Sequence, residues 1–321
     1  MDVATSRPQV DPQFRADVLA GLAAPIPAVP ARWLYDHRGS ELFEAITRLP
    51  EYYPTRTETA LLAEIGGELA EAIAPDQAVV EFGSGSSTKT PILLRAIRPA
   101  AYVPIDISGD FLRSSADSLQ SDFPTLEVHP VEGDFMRRIE LPASVAEMPK
   151  VGFFPGSTIG NLVARTAVDL LRTMKETLGE GAHLIIGMDR IKPVEILLRA
   201  YDDEAGVTAE FNLNLLHRIN AELDGDVPVD TFRHRAIWND DLSRIEMHLE
   251  AVRDVGFRVS GQSFAFAAGS TIHTENSHKY GHRDSRILLR AAGWGVVKEW
   301  TDPEQYFSIL LAEAEPPRFA P

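Results

Sequence analysis

Short apolar runs alternate with stretches whose apolar residues recur every three or four positions. The runs predict buried strands, and the stretches predict helices that pack on them. Val79-Val80-Glu81-Phe82 is the first run. Ala101 to Asp106, Leu126 to Val131, Val151 to Phe154 and His183 to Asp189 follow it as four more. Helices are expected from Phe14 to Leu22, behind Ser40 as N-cap with Phe43, Ile46 and Leu49, and from Glu58 to Ile73. Others are expected over Pro91 to Arg95, around Phe111 to Ser115, and from Leu170 to Leu178 with Gly179 as cap. Pro25, Pro27 and Pro30 stop the first helix. Strand alternating with helix predicts a parallel sheet covered on both faces.

The texture changes at Pro193. One long helical region is expected to about Leu223. Alternating segments follow at Thr231 to Trp238, Ser243 to Val252 and Gly261 to Ala267, and read as an antiparallel meander. Gly269 to Lys279 reads as a link to a final helix, Arg283 to Ala292, and to strands at Val296 to Trp300 and Tyr306 to Ala312. The meander is expected to be a subdomain inserted near the ligand edge of the sheet.

With 321 residues and a hydrophobic fraction of 44%, the chain has material for a large core plus a smaller domain. Its net charge of -16 argues against nucleic acid and anionic membranes as partners. Cysteine is absent, which excludes disulfides and thiolate chemistry. The first residues lack a signal-length apolar core, and no stretch has membrane-spanning length, so a soluble, cytoplasmic protein is expected, and self-contained domains make a monomer the expected state.

The candidate chemistry starts at Gly83-Ser84-Gly85, between the first strand and a helix. The loop lacks the third glycine of a dinucleotide fingerprint and the glycine run of a P-loop. Glu81, Asp106 and Asp134 fall at the ends of the first three strands. An anionic rim without a phosphate cradle suits a sulfonium such as S-adenosylmethionine better than a pyrophosphate. An NAD-dependent oxidoreductase is the second reading, and a sheet protein without catalysis the third. Asp106 would accept from ribose hydroxyls or cap a helix; Asp134 with Phe135 would hold an adenine or make a simple turn.

Other segments keep two readings open. Tyr52 and Tyr53, between Pro50 and Pro54, make either a buried linker or a rigid phenol platform. Pro155 to Leu162 carries two glycines, two hydroxyls and an amide at a strand's carboxyl end. His273, Glu275 and His278 match no standard zinc spacing, and Ser84 lacks a nucleophile elbow. His129, His217, His234, His248 and His282 read as packed or solvated.

Taken together, several motifs closely resemble the S-adenosylmethionine-dependent histidine Nα-methyltransferases of ergothioneine biosynthesis. They are Trp33 to Asp36, Ile46 to Glu58, Glu81 to Thr90, Phe154 to Leu162, Arg199 to Asp203, Arg244 to Met247 and Thr274 to Ser277. The resemblance implies a class I methyltransferase, Rossmann-like α/β domain over residues 1–192 and 281–321. Residues 193–280 would then be an inserted α+β substrate domain. It implies transfer of three methyl groups to the α-amine of free L-histidine, giving hercynine, without a metal. By the same resemblance Tyr35, Phe43, Gly83, Ser84, Lys89, Asp106, Asp134 and Phe135 bind S-adenosylmethionine. Tyr52, Gly156, Asn161 and Tyr201 grip the amino-acid backbone, with Tyr52, Asn161 and Tyr201 the catalytic set. Thr158 and Met247 line the pocket, and Glu275 and Ser277 hydrogen-bond the imidazole. Relatives that methylate tryptophan-like substrates are the near alternative; Met247 with Glu275 favours histidine. His278 and Tyr280 depart from smaller or apolar residues in the family.

Overall fold

The computed structural model describes residues 10–85, 88–107 and 109–316. Ser86 and Ser87 of the glycine-serine loop lie outside them. The chain opens with helices α1 (Pro12–Ala23), α2 (His37–Thr47), α3 (Tyr53–Glu64) and α4 (Gly66–Ala72). It continues through β1 (Ala78–Phe82), α5 (Thr90–Ile97), β2 (Ala101–Asp106), α6 (Gly109–Asp122), β3 (Glu127–Val128), β4 (Val131–Glu132) and β5 (Lys150–Phe154). Then come α7 (Ala164–Leu178), β6 (His183–Asp189), α8 (Val194–Tyr201) and α9 (Val207–Glu222). Strands β7 (Phe232–Asn239), β8 (Arg244–Ala251), β9 (Val255–Val259), β10 (Gln262–Phe266) and β11 (Thr271–His278) follow. Helix α10 (His282–Ala291), β12 (Trp294–Thr301) and β13 (Phe307–Ala314) complete the chain.

These elements form two compact units, residues 54–191 with 278–321, and residues 1–53 with 192–277. In the first, an eight-stranded sheet runs β12-β13-β6-β5-β1-β2-β3, with β4 also on β2. β1, β2, β5 and β6 pair in parallel, while β13 and β12 add antiparallel at one edge. The order reverses beside β1, so the loops after β1 and β5 flank a switch point, where open sheets of this kind bind ligands. Alternate residues of β1 feed opposite cores. Val80 and Phe82 join Leu170, Leu171, Met174 and Trp294, and Val79 joins Leu61, Leu62, Leu93 and Leu94. This is the class I methyltransferase, Rossmann-like architecture.

The other unit, here the meander unit, has a three-stranded sheet, β11-β8-β7, and the hairpin β9-β10. α9 packs on β7 and on α2. Residues 1–53 had been expected with the parallel sheet, and the described part of them clusters here instead. The cause is specific: Val29 N–H donates to the His273 carbonyl and His273 N–H to that of Pro27, both at 2.9 Å. Asn214 Nδ2 donates to Asp36 Oδ1 at 2.8 Å, and Arg218 to the Trp33 carbonyl at 2.9 Å.

Several boundaries differ from expectation for identifiable reasons. Asp36, not Ser40, caps α2, accepting from Gly39 N–H at 2.7 Å. The helix expected from Glu58 to Ile73 starts at Tyr53 and breaks before Gly66-Gly67. His129-Pro130 splits the third strand into β3 and β4, since proline donates no ladder bond. The long helical region is α8 and α9, separated where the Asp203 carboxylate accepts from Val207 and Thr208 N–H at 2.9 and 2.8 Å. Gly269 to Lys279 is not a link: most of it is β11, a polar strand recognisable only by its partners.

Candidate functional site

In the parallel-sheet unit the loop after β1 begins at Gly83, with φ at 76°. A Cβ there would lie 3.2 Å from the Phe135 ring, so only glycine leaves this surface bare. Ser84 Oγ is buried without a hydrogen-bond partner among the described residues. Asp106, ending β2, accepts from Gly85 N–H at 3.2 Å. Asp134 accepts from Met136 N–H at 2.9 Å, the turn that presents Phe135, whose ring stands edge-on to Phe154 at 6.0 Å. A bare glycine edge, an unused hydroxyl and two carboxylates fit a cationic adenosyl ligand. Glu81 takes no part in such a rim. It is fully buried and accepts from Tyr102 and Thr90 hydroxyls at 2.5 and 2.7 Å.

Lys89 reaches Glu58 on α3, Nζ to Oε2 at 2.5 Å, with both residues buried. The Gly156 N–H, after β5, donates to both oxygens of the same carboxylate at 3.0 and 2.9 Å. Thr158 is exposed and donates to the Pro155 carbonyl at 3.0 Å, and Asn161 ends the short helical turn Thr158–Asn161. Glu58 stands in a motif noted in the sequence but drew no role there. Its signal was a charged residue at a helical position facing Leu61 and Leu62.

The meander unit gathers a second constellation. Tyr35 packs edge-on to Phe43 at 5.5 Å and to Phe211 at 5.4 Å; Phe43 meets Tyr52 at 6.2 Å, and Tyr52 meets Tyr201 at 6.1 Å. Into this aromatic cluster β11 sends two polar groups. Glu275 Oε1 accepts from the Tyr35 hydroxyl at 3.3 Å, and Ser277 Oγ shares a hydrogen bond with the Tyr201 hydroxyl at 2.6 Å. Burial, then the Glu275 charge, holds the Tyr35 phenol well above its usual range, so it remains a donor. Met247 on β8 is buried, and its carbonyl accepts from Thr274 at 3.0 Å. Phe211, from α9, belongs to this cluster and was not singled out from the sequence as a site residue.

His273 joins Glu246 and His248, whose donor atoms lie within 4.8 Å of one another. The carboxylate is already committed: Arg244 and Asn239 donate to one oxygen at 2.6 and 2.9 Å, and His248 to the other at 3.1 Å. Burial pushes the Glu246 carboxyl up, but these hydrogen bonds outweigh it and bring it down to about 2. A guanidinium on the carboxylate opposes a cation there, and the group reads as a structural network.

The model of the family described as histidine-specific, S-adenosylmethionine-dependent methyltransferases matches residues 14–314. The chain belongs to this family. A histidine N-alpha-methyltransferase of Mycolicibacterium smegmatis is 42% identical, over 93% of this chain and 94% of its own. One of Mycobacterium tuberculosis is 40% identical over the same shares, 93% and 94%. Ergothioneine biosynthesis protein 1 of Neurospora crassa is 30% identical over 89% of this chain, but over 33% of its own length. Among the described residues no helix is long and apolar enough to cross a membrane.

Proposed function

We propose that the protein transfers methyl groups from S-adenosylmethionine to the α-amine of free L-histidine, three in succession, to give hercynine. The family match carries the S-adenosylmethionine-dependent histidine methylation itself. The observation that supports imidazole as the recognised group is the pairing on β11 of a carboxylate and a hydroxyl two residues apart. Each is held by a tyrosine inside an aromatic cluster.

Bound S-adenosylmethionine supplies an electrophilic methyl group on a sulfonium. In this reading Gly83, Ser84 and Lys89 hold its amino-acid end, Asp106 its ribose, and Asp134 with Phe135 its adenine. Glu275 accepts the imidazole N–H and Ser277 serves the other ring nitrogen; Met247 and Thr158 line the pocket. Tyr52, Asn161, Tyr201 and the Gly156 backbone hold the carboxylate and amine. Attack needs a neutral amine lone pair aligned with the methyl group, so positioning supplies most of the rate. Each added methyl removes a donor from the amine. Recognition must therefore rest on the carboxylate and the ring, which these residues address. A substrate with a phenyl ring would leave Glu275 and Ser277 without ring partners, which is how the site rejects it.

The test is mass spectrometry of the protein with S-adenosylmethionine and each free amino acid in turn. Three methyls gained by histidine alone is the expected result. Methylation of tryptophan in preference to histidine would refute the assignment.

A further inference from the structure

Glu58 lies on the inner side of α3 with 2% of its surface exposed. Its seat is a glycine: a Cβ on Gly187 in β6 would lie 2.0 Å from Glu58 Oε1. A buried carboxylate is costly to hold, and a buried ion pair is often no more stable than apolar residues of the same volume. Stability alone therefore gives little reason for Glu58 and Lys89 to be charged here. Their placement gives a better one. Lys89 immediately precedes α5 in the loop that follows β1, and Gly156 follows β5. These are the two loops at the sheet's switch point, and one carboxylate ties both. The tied turn has positive φ at Gly156 and Ser157, 82° and 55°, free for the glycine and strained at the serine. A serine in the left-handed region needs its surroundings to hold it. The Gly156 N–H to Glu58 and the Ser157 hydroxyl, which accepts from Asp189 N–H at 2.9 Å, supply that hold.

We infer that Glu58 is a positioning residue for the methyl transfer. Its carboxylate fixes the Lys89 ammonium, assigned to S-adenosylmethionine, and the Gly156-Ser157 turn, assigned with Asn161 to histidine. Both holds then depend on one side chain that touches neither ligand. This rests on the functional reading above. It predicts a signature that simple loss of packing does not give: coupled weakening of both ligands from Glu58, and of one ligand from Lys89.

The test compares Glu58→Gln, Lys89→Met and the double variant with the wild type. The readouts are KM for each substrate, kcat, calorimetric binding of S-adenosylhomocysteine, and thermal unfolding. Lys89→Met should weaken S-adenosylhomocysteine binding and leave the histidine KM within about twofold of wild type. Glu58→Gln should do both, raising the histidine KM about tenfold, the scale of replacing a charge-assisted hydrogen bond from Gly156 N–H by a neutral one. The double variant leaves no unpaired buried charge, so it folds even where Glu58→Gln does not. It should keep the raised histidine KM. A double variant with the histidine KM and kcat of Lys89→Met overturns the inference. A wild type that left histidine unmethylated would overturn the functional reading and this inference with it. Unchanged variants of an active wild type overturn this inference alone.

Discussion

The Tyr35 hydroxyl donates to Glu275 Oε1 at 3.3 Å, across 240 residues of sequence. The family resemblance puts Tyr35 with the cofactor, whereas this bond puts it on the residue proposed to select imidazole. Tyr35→Phe removes one donor to a carboxylate, worth about 1.5–3 kcal/mol. Histidine affinity should drop about tenfold or more, with S-adenosylhomocysteine affinity changing much less. Calorimetry with each ligand decides it, and an equal loss of both would return Tyr35 to the cofactor alone.

Glu275→Ala is expected to act on the same ligand more severely. It deletes the acceptor proposed for the ring N–H, so in that reading the imidazole loses its carboxylate partner. A loss of roughly a hundredfold or more in histidine binding is expected, with S-adenosylhomocysteine binding nearly intact. Titration of histidine at saturating S-adenosylhomocysteine measures it. Unaltered affinity would remove Glu275 from the recognition set.

Tyr201 and Ser277 share a 2.6 Å hydrogen bond, so their contributions to histidine binding should not add. In a cycle of Tyr201→Phe, Ser277→Ala and the double variant, the coupling should be about 1 kcal/mol. Strictly additive losses would mean that each hydroxyl acts without the other.

His234, His248 and His273 all titrate below their ordinary value of 6.5, burial being the main cause for each. The charges around them are mixed. Asp202 and Asp203 lie near His234, Arg235 and Arg244 near His248, and Glu246 near both His248 and His273. The unfolded chain takes these protons near pH 6.5 while the folded chain still refuses them. The unfolded state then binds more protons, so stability is full above pH 6.5 and falls as pH drops below it. Thermal midpoints from pH 8 down to pH 5.5 should decline over the lower part of that range. His273→Gln should flatten the decline; a midpoint independent of pH would contradict the buried, neutral assignment.

The parallel sheet was legible because its strands are short apolar runs bounded by glycine, a pattern set by burial on both faces. Val79 and Val80 point to different cores, yet both are apolar, which is what marks the run as central. β11 was not legible: Ile272-His273-Thr274-Glu275-Asn276-Ser277 has almost no apolar signal, because its buried positions Thr274, Glu275 and Ser277 are polar. β9 escaped because Val255-Gly256-Phe257 was too short a pattern without its hairpin partner. At the candidate site, motif resemblance named Glu275, Ser277, Tyr52 and Tyr201, but spacing alone carried none of their pairings. Glu58 drew no role because a glutamate on a helix ordinarily faces water. Only Gly187, 129 positions away in sequence, shows that this one is seated indoors.

The segment from Pro12 to Thr47 completes its fold only with strands and helices from residues 192–277. On a ribosome, helices α1 and α2 would therefore have to wait through synthesis of the six sheet strands β1 to β6 before meeting α9 and β11. Contacts so distant in sequence form slowly. The meander unit also has no contiguous gene fragment of its own: cloning 192–277 alone would omit Tyr35, Phe43 and Tyr52. Removing residues 54–191 and joining residue 53 to residue 192 through a linker would be the way to make it as one piece.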